Sequence, residues 1–169
     1  MKKIIIPFLC FIFFLACDVP EYDFNEFSDS DPPALVFNPF LKRVVAGSVN
    51  WVNIEALEIN GAAGMYIKME YDPEFVSIKE VVSGEFFTST NQPMAIVEDK
   101  GTYIEIYIVY LSDGIGRSAS GSGPVVKVAF ESIKTGKSRL SILEDSRVVN
   151  ADNESLVMTT YGYFIIDAR

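Results

Sequence analysis

The sequence contains no histidine. Ser-His and Cys-His catalytic pairs are therefore excluded, and zinc loses its commonest nitrogen ligand. Cysteine is nearly as scarce, with only Cys10 and Cys17. Cys10 sits inside an apolar run that reads as a removable leader, so Cys17 is left alone and no intrachain disulfide is expected. Basic charge is in deficit, with 14 Lys and Arg against 23 Asp and Glu and a net charge of −9. That balance argues against nucleic acid as a partner, because phosphate binding calls for a basic face. An acidic surface argues mainly for solubility. No stretch shows a 3.6-residue hydrophobic period, so no helix is expected. A phosphate-binding loop is missing too. Gly136-Lys137-Ser138 matches the tail of one, but Glu131 stands where the first glycine belongs and a strand pattern follows. Gly121-Ser122-Gly123 fails in the same way, with Val126 at the place of the third glycine.

The chain opens with MKKIIIPFLCFIFFLA, two lysines followed by an apolar run and a small residue. This is the layout of a secretory signal peptide. The run is too short for a spanning helix, which needs about 20 residues. Phe14-Leu15-Ala16-Cys17 resembles the lipobox of bacterial lipoproteins, and the resemblance implies acylation of Cys17. Residues 1–16 are thus expected to be a signal peptide. Residues 17–33 are expected to form a lipidated cysteine and a flexible acidic tether, DVPEYDFNEFSDSDPP. An alternative reading of the tether is a short peptide that docks through Tyr22, Phe24 and Phe27. Residues 34–169 are expected to form one domain. The expected place is the cell envelope, outside the cytoplasm, on a membrane held by the N-terminal lipid.

From Ala34 on, the pattern is β throughout. Runs rich in Val, Ile, Tyr and Phe cover 34–37, 48–57, 63–71, 76–82, 94–98, 102–111, 125–132, 138–143 and 155–167. The last run is long enough for a bend or hairpin at Gly162. Ile104, Ile106 and Ile108 share one face, with Tyr103, Glu105 and Tyr107 on the other. Met65, Ile67, Met69 and Tyr71 likewise alternate with Tyr66, Lys68 and Glu70. One buried and one wet face is the mark of antiparallel sheets, so an all-β sandwich or barrel is expected.

Chemistry is sparse. Carboxylate pairs suited to glycoside cleavage are Glu70 with Asp72, Glu144 with Asp145, and Asp152 with Glu154, but no spacing selects one. Asp152, Asn153 and Glu154 offer oxygen ligands for calcium in one turn, without the loop pattern that calcium sites show. Ser118, Ser120 and Ser122 read as a loop. No cofactor is expected. Tyr66, Tyr103 and Tyr107 on a wet face suit a binding surface, for sugar rings or for a protein.

The order of motifs resembles the cohesin family, the receptors of dockerin modules, over about Leu35 to Ile166. The resemblance rests on Val45-Ala46-Gly47-Ser48 before an alternating strand, and on Gly64 to Pro73 ending in Tyr71-Asp72-Pro73. It also rests on Val76–Val81 followed by Gly84, on the strand at Thr102–Leu111, and on Gly121-Ser122-Gly123 before Val125–Phe130 with Thr135-Gly136-Lys137-Ser138 after it. It implies a jelly-roll β-sandwich of about nine strands, kinship with carbohydrate-binding modules and a link to polysaccharide breakdown. It also implies a non-catalytic binding module for a dockerin-like protein or a glycan. The implied face carries Tyr66, Lys68, Glu70, Tyr103, Glu105 and Tyr107. The alternative is a structural accessory lipoprotein subunit of an envelope complex.

Overall fold

The computed structural model describes residues 30–87, 93–110 and 118–169. The expected signal peptide, Cys17 and most of the tether lie outside the described residues. Among the described residues there are twelve strands, arranged in two sheets.

The five-stranded sheet has the order β11-β1-β3-β8-β5. It is built from β1 (Ala34–Asn38), β3 (Val49–Ala62), β5 (Val76–Ser83), β8 (Ala119–Ser132) and β11 (Thr160–Tyr161). The other sheet has the order β2-β12-β9-β4-β7-β6. Its strands are β2 (Leu41–Val44), β4 (Gly64–Glu70), β6 (Met94–Asp99), β7 (Tyr103–Val109), β9 (Gly136–Ile142) and β12 (Tyr163–Ala168). A seventh strand, β10 (Arg147–Val149), pairs with β4.

The sheets face each other across an apolar core. Ile67, Met69, Ile104, Ile106 and Ile108 from one sheet and Ile54, Val126, Val128 and Phe130 from the other are buried. Phe164 on β12 links the layers, with its ring 5.9 Å from Phe37 on β1 and 5.5 Å from Phe130 on β8. Burying each such side chain contributes roughly 1.5–3 kcal/mol. The expected all-β jelly-roll sandwich is the observed class.

Twelve strands replace the expected nine for definite reasons. β2 and β10 are short, and the run at 155–167 is split at Gly162. β11 pairs with β1 in one sheet, while β12 pairs with β9 and β2 in the other. Gly162 is therefore a crossover between sheets and not a hairpin. The crossing brings the chain so close that a Cβ there would lie 3.0 Å from Val36 Cα.

The serine-glycine cluster is also not a loop from Ala119 onward, because β8 begins there. Its partner β3 is irregular, with register shifts on either side of Ile59. Glu58 has a φ of 48° and Gly61 a φ of 78°. Ser122 Oγ accepts the Glu58 N–H at 2.9 Å, and Ser120 Oγ accepts the Gly61 N–H at 2.9 Å. The hydroxyls take the place of ladder carbonyls where the bulges carry the backbone out of register.

Gly84 marks a second close approach. Its N–H donates to Val125 O at 2.9 Å, and an added Cβ would fall 2.5 Å from the Pro124 carbonyl carbon. Gly84→Ala is expected to destabilise the domain by about 2 kcal/mol, the usual scale for forcing an extra carbon into packed backbone. Urea unfolding measures it, and an unchanged midpoint would contradict the close approach.

Candidate binding face

The six residues that the sequence assigned to one face do share it. β4 pairs with β7 so that Tyr66 lies opposite Tyr107, Lys68 opposite Glu105 and Glu70 opposite Tyr103. Directly opposed residues of an antiparallel pair project to the same side. Their neighbours Met65, Ile67, Met69, Ile104, Ile106 and Ile108 are buried, so the six occupy the solvent side.

The face is ordered in rows by the registers of four strands. One row runs Met94, Val109, Gly64 and Val149 across β6, β7, β4 and β10. The next runs Ile96, Tyr107, Tyr66 and Arg147, and the third Glu98, Glu105 and Lys68. An apolar row thus borders an aromatic row, which borders a charged row. Met94 is 52 % exposed and Ile96 47 %. Both were missed as face residues. Their signal was parity: once Ile106 and Ile108 are inward, the β6 residues opposite Tyr107 and Val109 must be outward.

Glu105 organises the centre. Its carboxylate accepts from the Tyr66 hydroxyl at 2.9 Å and from the Tyr107 hydroxyl at 3.3 Å. The two rings lie 5.1 Å apart between centroids and are tilted by 41°. Lys68 Nζ reaches Asp145 at 3.0 Å and lies 4.8 Å from the Tyr103 ring centroid. Each aromatic ring on the face is thus held by a charged partner. Desolvation, then the hydrogen bond to Glu105, pushes the Tyr66 hydroxyl up to about 12. Desolvation and the Glu105 charge also raise Tyr107, and the Asp145 partner raises Lys68.

The other chemical candidates make local hydrogen bonds. Asp72 Oδ1 accepts the Glu74 N–H at 2.9 Å, which shapes the turn after Tyr71. Tyr71 is buried and donates its hydroxyl to Asp99 at 2.8 Å. Asn150 Oδ1 organises the turn at Asp152 to Glu154 by accepting both of their N–H groups, at 3.0 and 2.9 Å. Glu154 in turn accepts from Asn150 Nδ2 at 3.0 Å. Each proposed carboxylate pair therefore has a member committed elsewhere. Among the described residues no three His, Cys, Asp or Glu side chains are grouped to hold a metal ion.

Searches of protein-family models and of curated proteins give no match. Solved structures do match. A non-cellulosomal cohesin from the archaeon Archaeoglobus fulgidus superposes with a TM-score of 0.60 at 16% identity, covering 79% of this chain and 88% of that one. The sixth cohesin of Acetivibrio cellulolyticus scaffoldin B, in complex with a Cel5 dockerin, gives 0.65 at 14% identity, covering 80% and 98%. A type I cohesin–dockerin complex from Clostridium thermocellum gives 0.62 at 15% identity, covering 83% and 97%. The chain has a cohesin-like fold. In this cohesin-like sandwich β4, β6, β7 and β9 lie in one sheet.

Burial of Tyr66 and Tyr71, with their bonds to Glu105 and Asp99, has a consequence in alkali. Tyr66 and Tyr71 hold their protons to about pH 12 against an ordinary value of 10.0. A raised folded value adds stability that is complete below the unfolded value and is lost as pH climbs through the folded one. The unfolding free energy is therefore expected to fall between about pH 10 and 12. Glu105→Gln is expected to lower the Tyr66 midpoint without restoring it to 10.0, because desolvation is the larger cause. Urea unfolding across that pH range reads the first effect, and absorbance titration of the tyrosines reads the second.

Proposed function

We infer that this chain is a non-catalytic receptor module that binds a dockerin-like protein through the solvent face of the seven-stranded sheet. The observation that carries the reading is the ordered face. Exposed Met94 and Ile96 adjoin Val109, Tyr107 and Tyr66, and a charged row closes one side. Apolar and aromatic centres with a polar rim are what protein interfaces bury. The rings are held in place before a partner arrives, which lowers the entropy cost of binding. Likeness to cohesins crystallised with dockerins supports the choice of partner. The same tyrosine row offers stacking faces to sugar rings, which supports a role in polysaccharide breakdown. Acylation of Cys17 would hold the module at the cell envelope on its acidic tether, within reach of extracellular partners.

Residues 18–169 should capture dockerin-bearing proteins with micromolar or tighter affinity in calorimetry. Tyr66→Ala with Ile96→Asp is expected to weaken that binding at least tenfold. Trp51, 44 % exposed on the outer side of β3, supplies the control. Trp51→Ala should leave affinity unchanged, since its direct neighbour across the ladder is Ala129 of the five-stranded sheet. Absence of capture, or an equal loss in Trp51→Ala, would overturn the assignment of this face.

A further inference from the structure

A second recognition element lies where β9 outruns β4. β9 pairs with β12 over its whole length, from Gly136 opposite Ala168 to Ser141 opposite Tyr163. On its other side it pairs with β4 only at Ser141 and Ile142. β4 ends at Glu70, and the Tyr71 N–H goes to Thr102 O, which draws the chain away toward β7. A groove of about 660 Å³ opens between β9 and the departing chain. Glu70, Asp72 and Pro73 line one wall, and Lys137, Ser138 and Arg139 line the other.

The backbone facing that groove follows from alternation. The Leu143 N–H donates to Lys68 O on the β4 side, while the Ile142 N–H donates to Gly162 O on the opposite side. Successive residues of a strand present their amide groups to opposite neighbours. Arg139 and Lys137 therefore present their N–H and C=O groups to the groove, beyond the last β4 partner. Ser138 Oγ, on the same wall, is buried and has no hydrogen-bond partner among the described residues.

The two cations of β9 are left without acidic partners among the described residues. Lys137 and Arg139 project outward from β9, opposite Asp167 and Ile165 of β12. Arg43 and Arg169 both turn to Asp167, at 3.6 and 3.2 Å. Arg139 lies over the Tyr163 ring at 5.6 Å, and neither it nor Lys137 has a carboxylate within ion-pair distance among the described residues. Arg43 and Arg169 thus share Asp167, while Lys137 and Arg139 stay unpaired on the groove wall opposite Glu70 and Asp72.

We propose that this groove binds an extended acidic segment of a partner protein, which pairs as a strand with β9 at Lys137 and Arg139 and sets its carboxylates on those two side chains. Main-chain pairing supplies the affinity of such strand addition, and alternate side chains supply its specificity. Side chains of the segment that face Glu70 are neutral or basic. The partner is taken as external, since the first described residues lie beside the other sheet, where Thr160 Oγ1 of β11 donates to Asp31 O at 3.0 Å. The inference does not rest on the tyrosine face, so the two readings fail separately.

The test uses residues 18–169 and three labelled peptides. They are (Val-Glu)4, (Val-Lys)4, and (Val-Glu)4 N-methylated at every second amide, made in both phases. In amide NMR titrations (Val-Glu)4 is expected to shift Tyr71, Thr102 and Lys137 to Ser141. (Val-Lys)4 and one methylated phase should bind at least tenfold more weakly in fluorescence anisotropy. Lys137→Glu with Arg139→Glu should abolish the preference for the acidic peptide, Lys137→Gln with Arg139→Gln should reduce it, and Tyr66→Ala should not change it. Equal binding of the acidic and basic peptides, full affinity of both methylated phases, or shifts elsewhere would overturn the proposal. So would movement of the Lys137 and Arg139 amides, without peptide, when Asp18, Glu21, Asp23 and Glu26 are changed to Asn or Gln, because the chain's own segment would then be the occupant.

Discussion

The Phe164 ring between Phe37 and Phe130 is the contact on which the rest of the molecule depends. It joins β12 of one sheet to β1 and β8 of the other. Once those layers close, every strand between them has an inside and an outside, and the pleat leaves no choice about which residue goes where. Ile104, Ile106 and Ile108 are buried, so Tyr103, Glu105 and Tyr107 cannot be. The solvent face of β4 and β7 is in this sense a by-product of the core. A slip of one residue in β7 would exchange three isoleucines for two tyrosines and a glutamate, a penalty far above that of any single surface contact.

The same closure creates strain elsewhere, and the sequence relieves it locally. The chain must cross from sheet to sheet after β11, and it does so where a side chain would meet Val36. β3 must run fourteen residues beside β8, and it leaves register around Ile59. Ser120 and Ser122 supply the missing acceptors there. These serines and glycines look functional in one dimension because Gly, Ser and Lys also build phosphate loops. In three dimensions they repair a ladder.

Period-two alternation made the class of fold and the outward set on β4 and β7 legible, because both follow from burial of alternate residues. Three things were not legible. The crossover at Gly162 depends on which strand lies next to which, and a single run of Val, Tyr, Phe and Ile carries no record of its partners. The bulges depend on a mismatch between two distant strands. The outward role of Met94 and Ile96 depends on β6 lying at a sheet edge, where apolar residues are exposed on both sides and the alternation that marks inner strands is lost. Edge strands are read from their pairing, not from their composition.

The two recognition elements proposed for the seven-stranded sheet differ in physical kind. The tyrosine face presents side chains fixed by charged partners, so any selectivity there would lie in shape and in the order of its rows. The groove at β9 presents main-chain groups, which are the same in every protein, so selectivity there must come from the cations beside it. A bare strand edge is a liability, since any extended chain can pair with it. Lys137 and Arg139 guard that edge by repelling basic segments, and an acidic chain of net charge −9 gains a further benefit. Its acidic surface elsewhere would repel the acidic segments proposed for the edge, so a segment seated in register beside Lys137 and Arg139 would have the advantage over one that lands elsewhere.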